Sequence, residues 1–194
     1  MEGFALSSDG KVPRKMAAQY GRESTLAERV KYKIFGIGFF RPIEGQPNVL
    51  SRWFEIKSFT IRPHLYQLTG GLIFRLTGSK TMDALAIRYD EIIQIQVDRE
   101  PDKVSPIIFS PFWFLLQLGF KPRQVRWFTI GRRLEFQFGS IQVTIVLDGN
   151  DPIQLVWDAR HEPSVRQFIG SRFLADKVDE KKLTQGYSEW GPQW

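Results

Sequence analysis

The sequence has no cysteine and only two histidines among its 194 residues. Without cysteine the chain has no disulfides, no thiolate metal ligands and no cysteine nucleophile. The two histidines, His64 and His161, are too few for a histidine-based metal centre, and the position of His161 is typical of a surface or capping residue. We therefore expect no metal site and no thiol chemistry.

Recognisable catalytic motifs are also missing. No serine lies in a Gly-x-Ser-x-Gly pattern, and Gly36 and Gly38 lack the third glycine of a dinucleotide-binding loop. Gly78 and Lys80 are separated by a serine, so the direct Gly-Lys-Thr succession of a phosphate-binding loop is absent. We therefore expect a protein that is not an enzyme and binds no cofactor.

Positive charge exceeds negative charge, with 27 Lys and Arg against 21 Asp and Glu and a net charge of +6. This balance favours acidic partners, and the excess falls in the first two thirds of the chain. The N-terminus shows no basic head followed by an apolar run, so the sequence predicts no secretory signal. We expect a cytoplasmic protein, or one that is incorporated in a virion or a membrane-associated assembly.

Charge is absent from the 17 residues 104–120, which are mostly apolar. Prolines interrupt this segment, and it is too short to span a bilayer. Its inner part predicts a short helix, capped by Ser110, with Pro111 at the first position and a left-handed exit at Gly119. Gln117 is the one polar residue in the predicted helix body, 112–118. Such a helix needs cover from its own core, from a partner subunit or from the headgroup region of a bilayer.

From Arg52 onward, apolar residues recur with the period of two that is typical of β-strands. Predicted strands are 53–61, 66–77 with a bulge or bend at Gly70 and Gly71, 84–89, 92–97, 125–130, 134–138, 141–147 and 153–157. The connections are mostly too short for crossover helices, with tight turns at Gly131 and Gly139. The fold class that this pattern predicts is mainly β, an antiparallel barrel or sandwich.

Two amphipathic helices flank the strands. Thr25 and Glu28 fit a capping box that opens the first. The second is predicted over 163–175, with a capping box of Ser164 and Gln167 and an apolar stripe that can cover an open barrel end: Val165, Phe168, Ile169 and Phe173. This division gives an N-terminal extension 1–51, a domain 52–175 with an insertion 99–124 and a closing helix 163–175, and a C-terminal tail 176–194.

Antiparallel strands followed by one amphipathic helix resemble the pleckstrin-homology superfold, over about residues 52–175. The resemblance rests on the order of the elements, for instance strands 92–97 and 134–138 and the helix around Phe168. It implies a bent barrel that the helix closes. The tryptophan that many such domains carry in that helix is replaced here by Phe168 and Phe173, and the insertion departs from the minimal pattern.

These observations predict a non-enzymatic structural or scaffold subunit of a larger assembly, such as a virion, a tail or baseplate, or a secretion-type machine. Its partners would be other protein subunits, including further copies of this chain. The alternative is a peripheral membrane adaptor that binds anionic lipid through the domain and the apolar segment 104–120. Predicted partner or membrane contacts are Phe109, Phe112, Trp113, Phe114, Leu116 and Phe120. Predicted anion contacts are Lys57, Arg62, His64, Lys103, Lys121 and Arg123.

Four arginines lie near two aromatic residues, a combination that also occurs in nucleic-acid interfaces. The set comprises Arg123, Arg126, Arg132, Arg133, Trp127 and Phe128. Arg132 and Arg133 fall in a predicted turn, where solvated charge is normal, and Glu135 follows closely. The sequence therefore disfavours a nucleic-acid interface.

Overall fold

The computed structural model of the chain describes residues 2–5, 12–32, 36–38, 41–42, 62–77, 82–179 and 187–188. These residues form three β-sheets with mostly antiparallel pairing, together with a few short helices. The prediction of a mainly β fold with antiparallel sheets is confirmed. The predicted strand 53–61 lies outside the described residues.

The strands are β1 (Glu2–Ala5), β2 (Ile37–Gly38), β3 (Arg41–Pro42), β4 (Arg62–Gln67), β5 (Gly71–Thr77), β6 (Met82–Arg88), β7 (Ile92–Arg99), β8 (Asp102–Val104), β9 (Phe136–Gln137), β10 (Ser140–Leu147), β11 (Asn150–Asp158), β12 (Val178–Asp179) and β13 (Tyr187–Ser188). The helices are α1 (Arg14–Tyr20), α2 (Leu26–Tyr32), α3 (Pro111–Gln117), α4 (Pro122–Val125), α5 (Arg132–Glu135) and α6 (Glu162–Ile169). Short 3-10 turns lie at Tyr89–Glu91, Arg126–Phe128, Ala159–His161 and Ala175–Lys177.

The first sheet has the strand order β1-β6-β5-β4-β2, and the second has the order β12-β7-β10-β11-β3. The third sheet is small, with the order β13-β8-β9. The short strands β2 and β3 follow each other closely in the chain, yet β2 pairs with β4 of the first sheet and β3 with β11 of the second. This segment therefore links the two large sheets, and the indole Nε1 of Trp157 in β11 donates to the Gly38 carbonyl at 3.0 Å.

One hydrophobic cluster joins the first and second sheets. Its strand residues alternate along the chain, as in β10, where Ile141, Val143 and Ile145 are all buried. Alternate residues of a strand point to the same face, so this spacing places one face of β10 in the core. Among the described residues none of the three sheets closes on itself, and the barrel or sandwich stays a prediction.

Helix α1 covers the other face of the first sheet. Met16 and Tyr20 pack there against Ile73, Ala84 and Ala86. The small alanine side chains let the helix lie close to the strands, and this sheet is therefore buried on both faces along β5 and β6.

Helix α6 packs against the cluster that the two large sheets share. Val165, Phe168 and Ile169 are buried in it, and the amide of Gln67 in β4 donates to the Phe168 carbonyl at 2.8 Å. The helix is shorter than the predicted span 163–175. The helix begins at Glu162, directly after the 3-10 turn that ends at His161, so the predicted capping box of Ser164 and Gln167 does not open it.

Helix α2 begins where the sequence predicts it. Thr25 and Glu28 exchange the two hydrogen bonds of a capping box, with Thr25 N to Glu28 Oε2 at 2.8 Å and Glu28 N to Thr25 Oγ1 at 3.3 Å. Its apolar residues Leu26 and Val30 are exposed. The capping box is confirmed, whereas the helix buries none of its side chains.

Three strand predictions are wrong. Residues 66–77 form a hairpin of β4 and β5, because Gly70 and Gly71 sit at a reversal and not at a bend within one strand. Residues 125–130 form the end of α4 and a 3-10 turn. The segment 134–138 is extended over Phe136–Gln137 alone, since α5 occupies 132–135 and replaces the expected turn at Gly131.

We expect Phe168→Ala to destabilise the protein by about 3–5 kcal/mol, because the substitution leaves a cavity where α6 meets the core. Urea unfolding followed by circular dichroism measures this loss. Gln167→Ala, at the exposed neighbouring position, is the control and should change stability by less than about 0.5 kcal/mol. A loss below about 1 kcal/mol for Phe168→Ala would show that α6 is not part of the core.

Candidate functional site

Strands β7 and β10 belong to one hairpin that extends well beyond the second sheet. Arg99 faces Ile141 in the β7–β10 pair, and Lys103 faces Gln137 in the β8–β9 pair. Lys103 lies four residues after Arg99, and Gln137 lies four residues before Ile141, so both pairs belong to one continuous antiparallel register. The Ser105 amide donates to the Glu135 carbonyl at 3.0 Å and continues the same ladder. Residues 106–134 are therefore the end of a long hairpin, and we call them the tip.

Between the second sheet and the tip lie residues 99–105 and 135–140, which we call the neck, and a crossing at Gly139 shapes it. A Cβ atom at Gly139 would lie 2.2 Å from the Glu100 carbonyl oxygen, so the opposite strand passes too closely for any side chain. The Gly139 amide donates to Asp102 Oδ1 at 3.0 Å. The neck is held by a backbone contact that only glycine permits.

Charged side chains are buried in the neck and form a network. Arg99 Nη2 donates to Asp102 Oδ1 at 2.9 Å and Arg99 Nε donates to Glu162 Oε2 at 3.1 Å. Arg123, from α4 of the tip, reaches the same two carboxylates, with Nε to Asp102 Oδ2 at 2.5 Å and Nη1 to Glu162 Oε2 at 3.3 Å. The side chains of Arg99 and Asp102 are each 1% exposed. The network therefore connects the tip to the neck and to α6 of the body, the name we use for the first and second sheets with α1 and α6.

The pKa of Glu162 follows from this network. Burial opposes ionisation, but the hydrogen bond from Arg166 and the positive charges of Arg99 and Arg123 outweigh burial and hold the pKa of Glu162 below its ordinary value. The hydrogen bond to Asp102 raises the pKa of Arg123. Both groups are therefore charged at neutral pH.

Glu135 closes the tip from inside. Its buried carboxylate accepts hydrogen bonds from the Ile107 amide at 3.1 Å, from the Ile130 amide at 2.6 Å and from the Ser110 hydroxyl. Ile107 and Ile130 lie at the two ends of the tip, so one side chain fixes both. A carboxylate with several such donors is a strong, charge-assisted acceptor.

Ser110 connects Glu135 to helix α3. Its hydroxyl oxygen accepts a hydrogen bond from the Trp113 amide at 3.0 Å and caps the helix, and Pro111 lies in the first turn. After the end of the helix, Gly119 has a left-handed φ of 85°. This helix, predicted from the sequence, is confirmed. Its inner side chains Phe112 and Leu116 pack with Val104, Val125 and Phe136 in a small core of the tip.

The outer surface of the tip is strongly apolar. Of 13 exposed large hydrophobic side chains in the described residues, 10 lie between residues 107 and 134. They are Ile107, Ile108, Phe109, Phe114, Leu118, Phe120, Trp127, Phe128, Ile130 and Leu134. Large exposed apolar surfaces on soluble proteins mark interaction sites.

Phe109 combines exposure with backbone strain. It is 74% exposed and has φ of 67°, in the left-handed region that bulky residues rarely adopt. Its ring contacts Trp113 and Phe114, at centroid distances of 5.5 and 6.3 Å. Strain of about 1–3 kcal/mol at such a residue is characteristic of functional sites. Because the Phe109 ring is exposed, its burial does not compensate for this strain. The residue is therefore a candidate for contact with a partner.

The tip and its edges carry charge of one sign. Between Lys103 and Leu134 there is no Asp or Glu, while Lys121, Arg123, Arg126, Arg132 and Arg133 fall within the tip. The guanidinium of Arg126 lies 4.6 Å from the centre of the Trp127 ring and 5.4 Å from that of Phe138. The tip therefore presents apolar and cationic groups side by side.

The predicted contact residues divide into two groups. Phe109, Phe114 and Phe120 are exposed and Trp113 is half-buried, whereas Phe112 and Leu116 lie in the core of the tip. Seven exposed residues are not among the predicted contacts: Ile107, Ile108, Leu118, Trp127, Phe128, Ile130 and Leu134. The apolar run contains the first three. Trp127 and Phe128 enter the sequence analysis only as part of the disfavoured nucleic-acid face, and the predicted strand 125–130 concealed Ile130.

The predicted anion contacts are scattered. Lys57 and the side chain of Arg62 lie outside the described residues, and His64 is half-buried beside Tyr66, with ring centres 5.8 Å apart. Lys103 and Lys121 are exposed at the neck and on the tip. Arg123 is engaged by Asp102 and Glu162 and is not free to bind an anion.

A groove of about 880 Å³ lies beside the neck, next to β11. Three of its charged side chains are already engaged, since Arg160 donates to both oxygens of Asp158, at 3.1 and 2.9 Å, and Glu100 accepts the Ser140 hydroxyl at 2.6 Å. The groove therefore offers little reactive chemistry, and the tip remains the stronger candidate for a binding site.

The described part of the chain contains neither a metal-binding cluster nor a membrane-spanning helix. No three His, Asp or Glu side chains are grouped there so that they could hold a metal ion. In the same residues no helix has the length and apolar character needed to cross a bilayer. Comparison with protein-family models, with curated proteins and with solved structures found no match.

We expect Glu135→Ala to open the tip while the body stays folded. Three hydrogen bonds to a charged acceptor are lost, which lowers the free energy of local opening by about 3 kcal/mol. Trypsin cleavage after arginines of the tip should accelerate about a hundredfold, because cleavage follows the open population. Glu100→Ala removes an exposed carboxylate of the neck and should leave the rate unchanged. Equal rates for wild type and Glu135→Ala would contradict the proposed role.

The depressed pKa of Glu162 predicts a pH dependence of stability. Its contribution is complete above about pH 4.5, the ordinary value, and is lost as the pH falls through the lower folded pKa. Glu162→Gln should destabilise the protein by about 3 kcal/mol at neutral pH, and the difference should shrink on acidification. Urea unfolding between about pH 2 and 7 measures it, with the exposed Asp151→Asn as control. A difference independent of pH would refute the ionic role.

Proposed function

We propose that the protein is a non-enzymatic structural subunit that attaches to a larger assembly through the tip of its long hairpin. The body supplies the scaffold and the tip supplies the docking surface. Assemblies of the kind that the sequence suggests, a virion, a tail or baseplate, or a secretion-type machine, need subunits of this type.

The concentration of exposed apolar side chains on the tip carries this proposal. Ten such side chains within residues 107–134 are held on a small core that Glu135 and the neck network fix in place. A preformed apolar surface loses little conformational entropy when it is covered. The strained and exposed Phe109 fits the same role, because it contributes contact area only when another surface covers it.

We also propose that the body is a pleckstrin-homology-like barrel or sandwich that α6 closes. The hydrophobic cluster shared by the first and second sheets and by α6 supports this arrangement. The link of β2 and β3 to different sheets supports it as well. In this arrangement the tip grows from one loop of the body, and its docking leaves the core untouched.

Two kinds of surface can cover the tip. Protein subunits suit it because Phe and Trp are the residue types that anchor protein interfaces. A bilayer is the second candidate, in which the protein is a peripheral membrane adaptor. The absence of acidic residues between Lys103 and Leu134 favours this candidate.

Fractionation of cells that express the full chain tests the attachment role for either surface. Wild type should sediment with large complexes or membranes, whereas the triple variant Phe109→Gly, Phe114→Gln, Leu118→Gln should move largely to the supernatant. Replacement of Phe109 by glycine relieves backbone strain, and Phe114 and Leu118 are exposed, so we expect this variant to stay folded. The double variant Leu26→Gln, Ile93→Gln removes exposed apolar side chains outside the tip and should sediment like wild type.

The attachment proposal fails if wild type remains in the supernatant. It also fails if the triple variant sediments as fully as wild type while its circular dichroism shows a native fold. Either result would mean that the apolar surface of the tip is not used for docking.

A further inference from the structure

We infer that the surface covering the tip is an anionic lipid bilayer, with the apolar side chains in the interfacial layer and the cationic groups at the headgroups. This inference rests on the docking role proposed for the tip, and it assigns the tip to the second of the two candidate surfaces, the bilayer, in place of a protein subunit. Three properties of the tip support it: its charge, its internal hydrogen bonds and the types of side chain that it exposes.

Charge is the first argument. The two acidic residues nearest to the tip along the chain, Asp102 of the neck and Glu135, are both fully buried and hydrogen-bonded within the protein. Lys103 and Lys121 are exposed at its edge and surface. The outward charge of the tip is therefore positive alone. Anionic headgroups attract such a surface, and the apolar side chains beside the lysines can enter the interfacial layer.

The internal hydrogen bonds of the tip are the second argument. A segment that enters the interfacial layer loses fewer hydrogen bonds to water when its backbone polar groups are satisfied internally. The turns of α3 and α4 do this for part of the tip, and the Glu135 carboxylate accepts the amides of Ile107 and Ile130 at its two ends. The tip thus enters a less polar layer without losing hydrogen bonds to water at these positions.

The side-chain types are the third argument. Trp and Phe with flanking Lys and Arg are the composition of protein surfaces that lie in the membrane interface. Arg126 stacks on Trp127, so the guanidinium remains at headgroup level when the indole enters the layer. Leu118, Ile130 and Leu134 are among the most exposed apolar side chains, and they supply the inserted area.

The lack of cysteine allows a direct test, because a single introduced cysteine carries a dye at one chosen site. We propose Leu118→Cys on the tip and Ile93→Cys on the body, both in the full chain and both at exposed apolar positions, 74% and 59% exposed. An environment-sensitive dye at residue 118 should brighten severalfold with phosphatidylcholine vesicles that contain about 30% phosphatidylserine. The same dye at residue 93 should not change.

Charge dependence is tested in the same assay. Binding should be weak with pure phosphatidylcholine vesicles and should fall strongly in about 1 M salt. The double variant Lys103→Gln, Lys121→Gln should weaken binding about fivefold for each lysine removed. Lys31→Gln, an exposed lysine of α2, is the matched control and should bind like wild type.

Each outcome decides between the surfaces. Equal binding to neutral and anionic vesicles overturns the anionic specificity, and an unchanged dye at residue 118 with all vesicles overturns the bilayer. If the dye is unchanged but fractionation still depends on the tip, a protein occupant is shown and the attachment role stands. If neither assay depends on the tip, the attachment role fails as well.

Discussion

The carboxylate of Glu135 joins the two ends of a 29-residue tip, 106–134, and the shape of the docking surface depends on it. It accepts the amides of Ile107 and Ile130, and through Ser110 it fixes the start of α3. A loop of this length would otherwise carry a large closure and ordering entropy. The small core around Phe112 could not hold ten exposed apolar side chains in place without such a link.

The neck network sets where the tip sits on the body. Arg123 leaves the tip and meets Asp102 of the neck and Glu162 of α6, so one cation connects three parts of the molecule. Burying these charges is costly, and replacement by apolar residues could match their stability. The network instead fixes the orientation of the tip. The paired charges and the close crossing at Gly139 restrict how the hairpin leaves the body. A docking surface with a fixed orientation follows from this arrangement.

Local features of the chain were predictable, and long-range features were not. Ser110, Pro111 and Gly119 define α3 through contacts within a few residues, and Thr25 with Glu28 defines the start of α2 in the same way. The role of Glu135 depends on a partner 25 residues away, which only the register of the hairpin brings close. Residues 125–130 have the composition of a strand, but packing against α3 holds them in helical turns.

Exposure, which separates contact residues from core residues, was equally hidden in the sequence. Phe112 and Phe114 belong to the same apolar helix, yet one is buried and the other is 51% exposed. Sequence alone marks both as candidates because the helix has almost no polar face. The direction of each side chain is decided by Val104 and Phe136, which come from the two strands of the neck.

The central claim, a tip that has its fixed shape before it meets a partner, is tested most directly by hydrogen exchange of the free full-length protein. The amides of Ile107 and Ile130 should exchange at least about a hundredfold more slowly than unstructured references, because both donate to Glu135. Exchange of these amides at the unstructured rate, with β7 and β10 still protected, would contradict the claim, because the docking surface would then form only on binding.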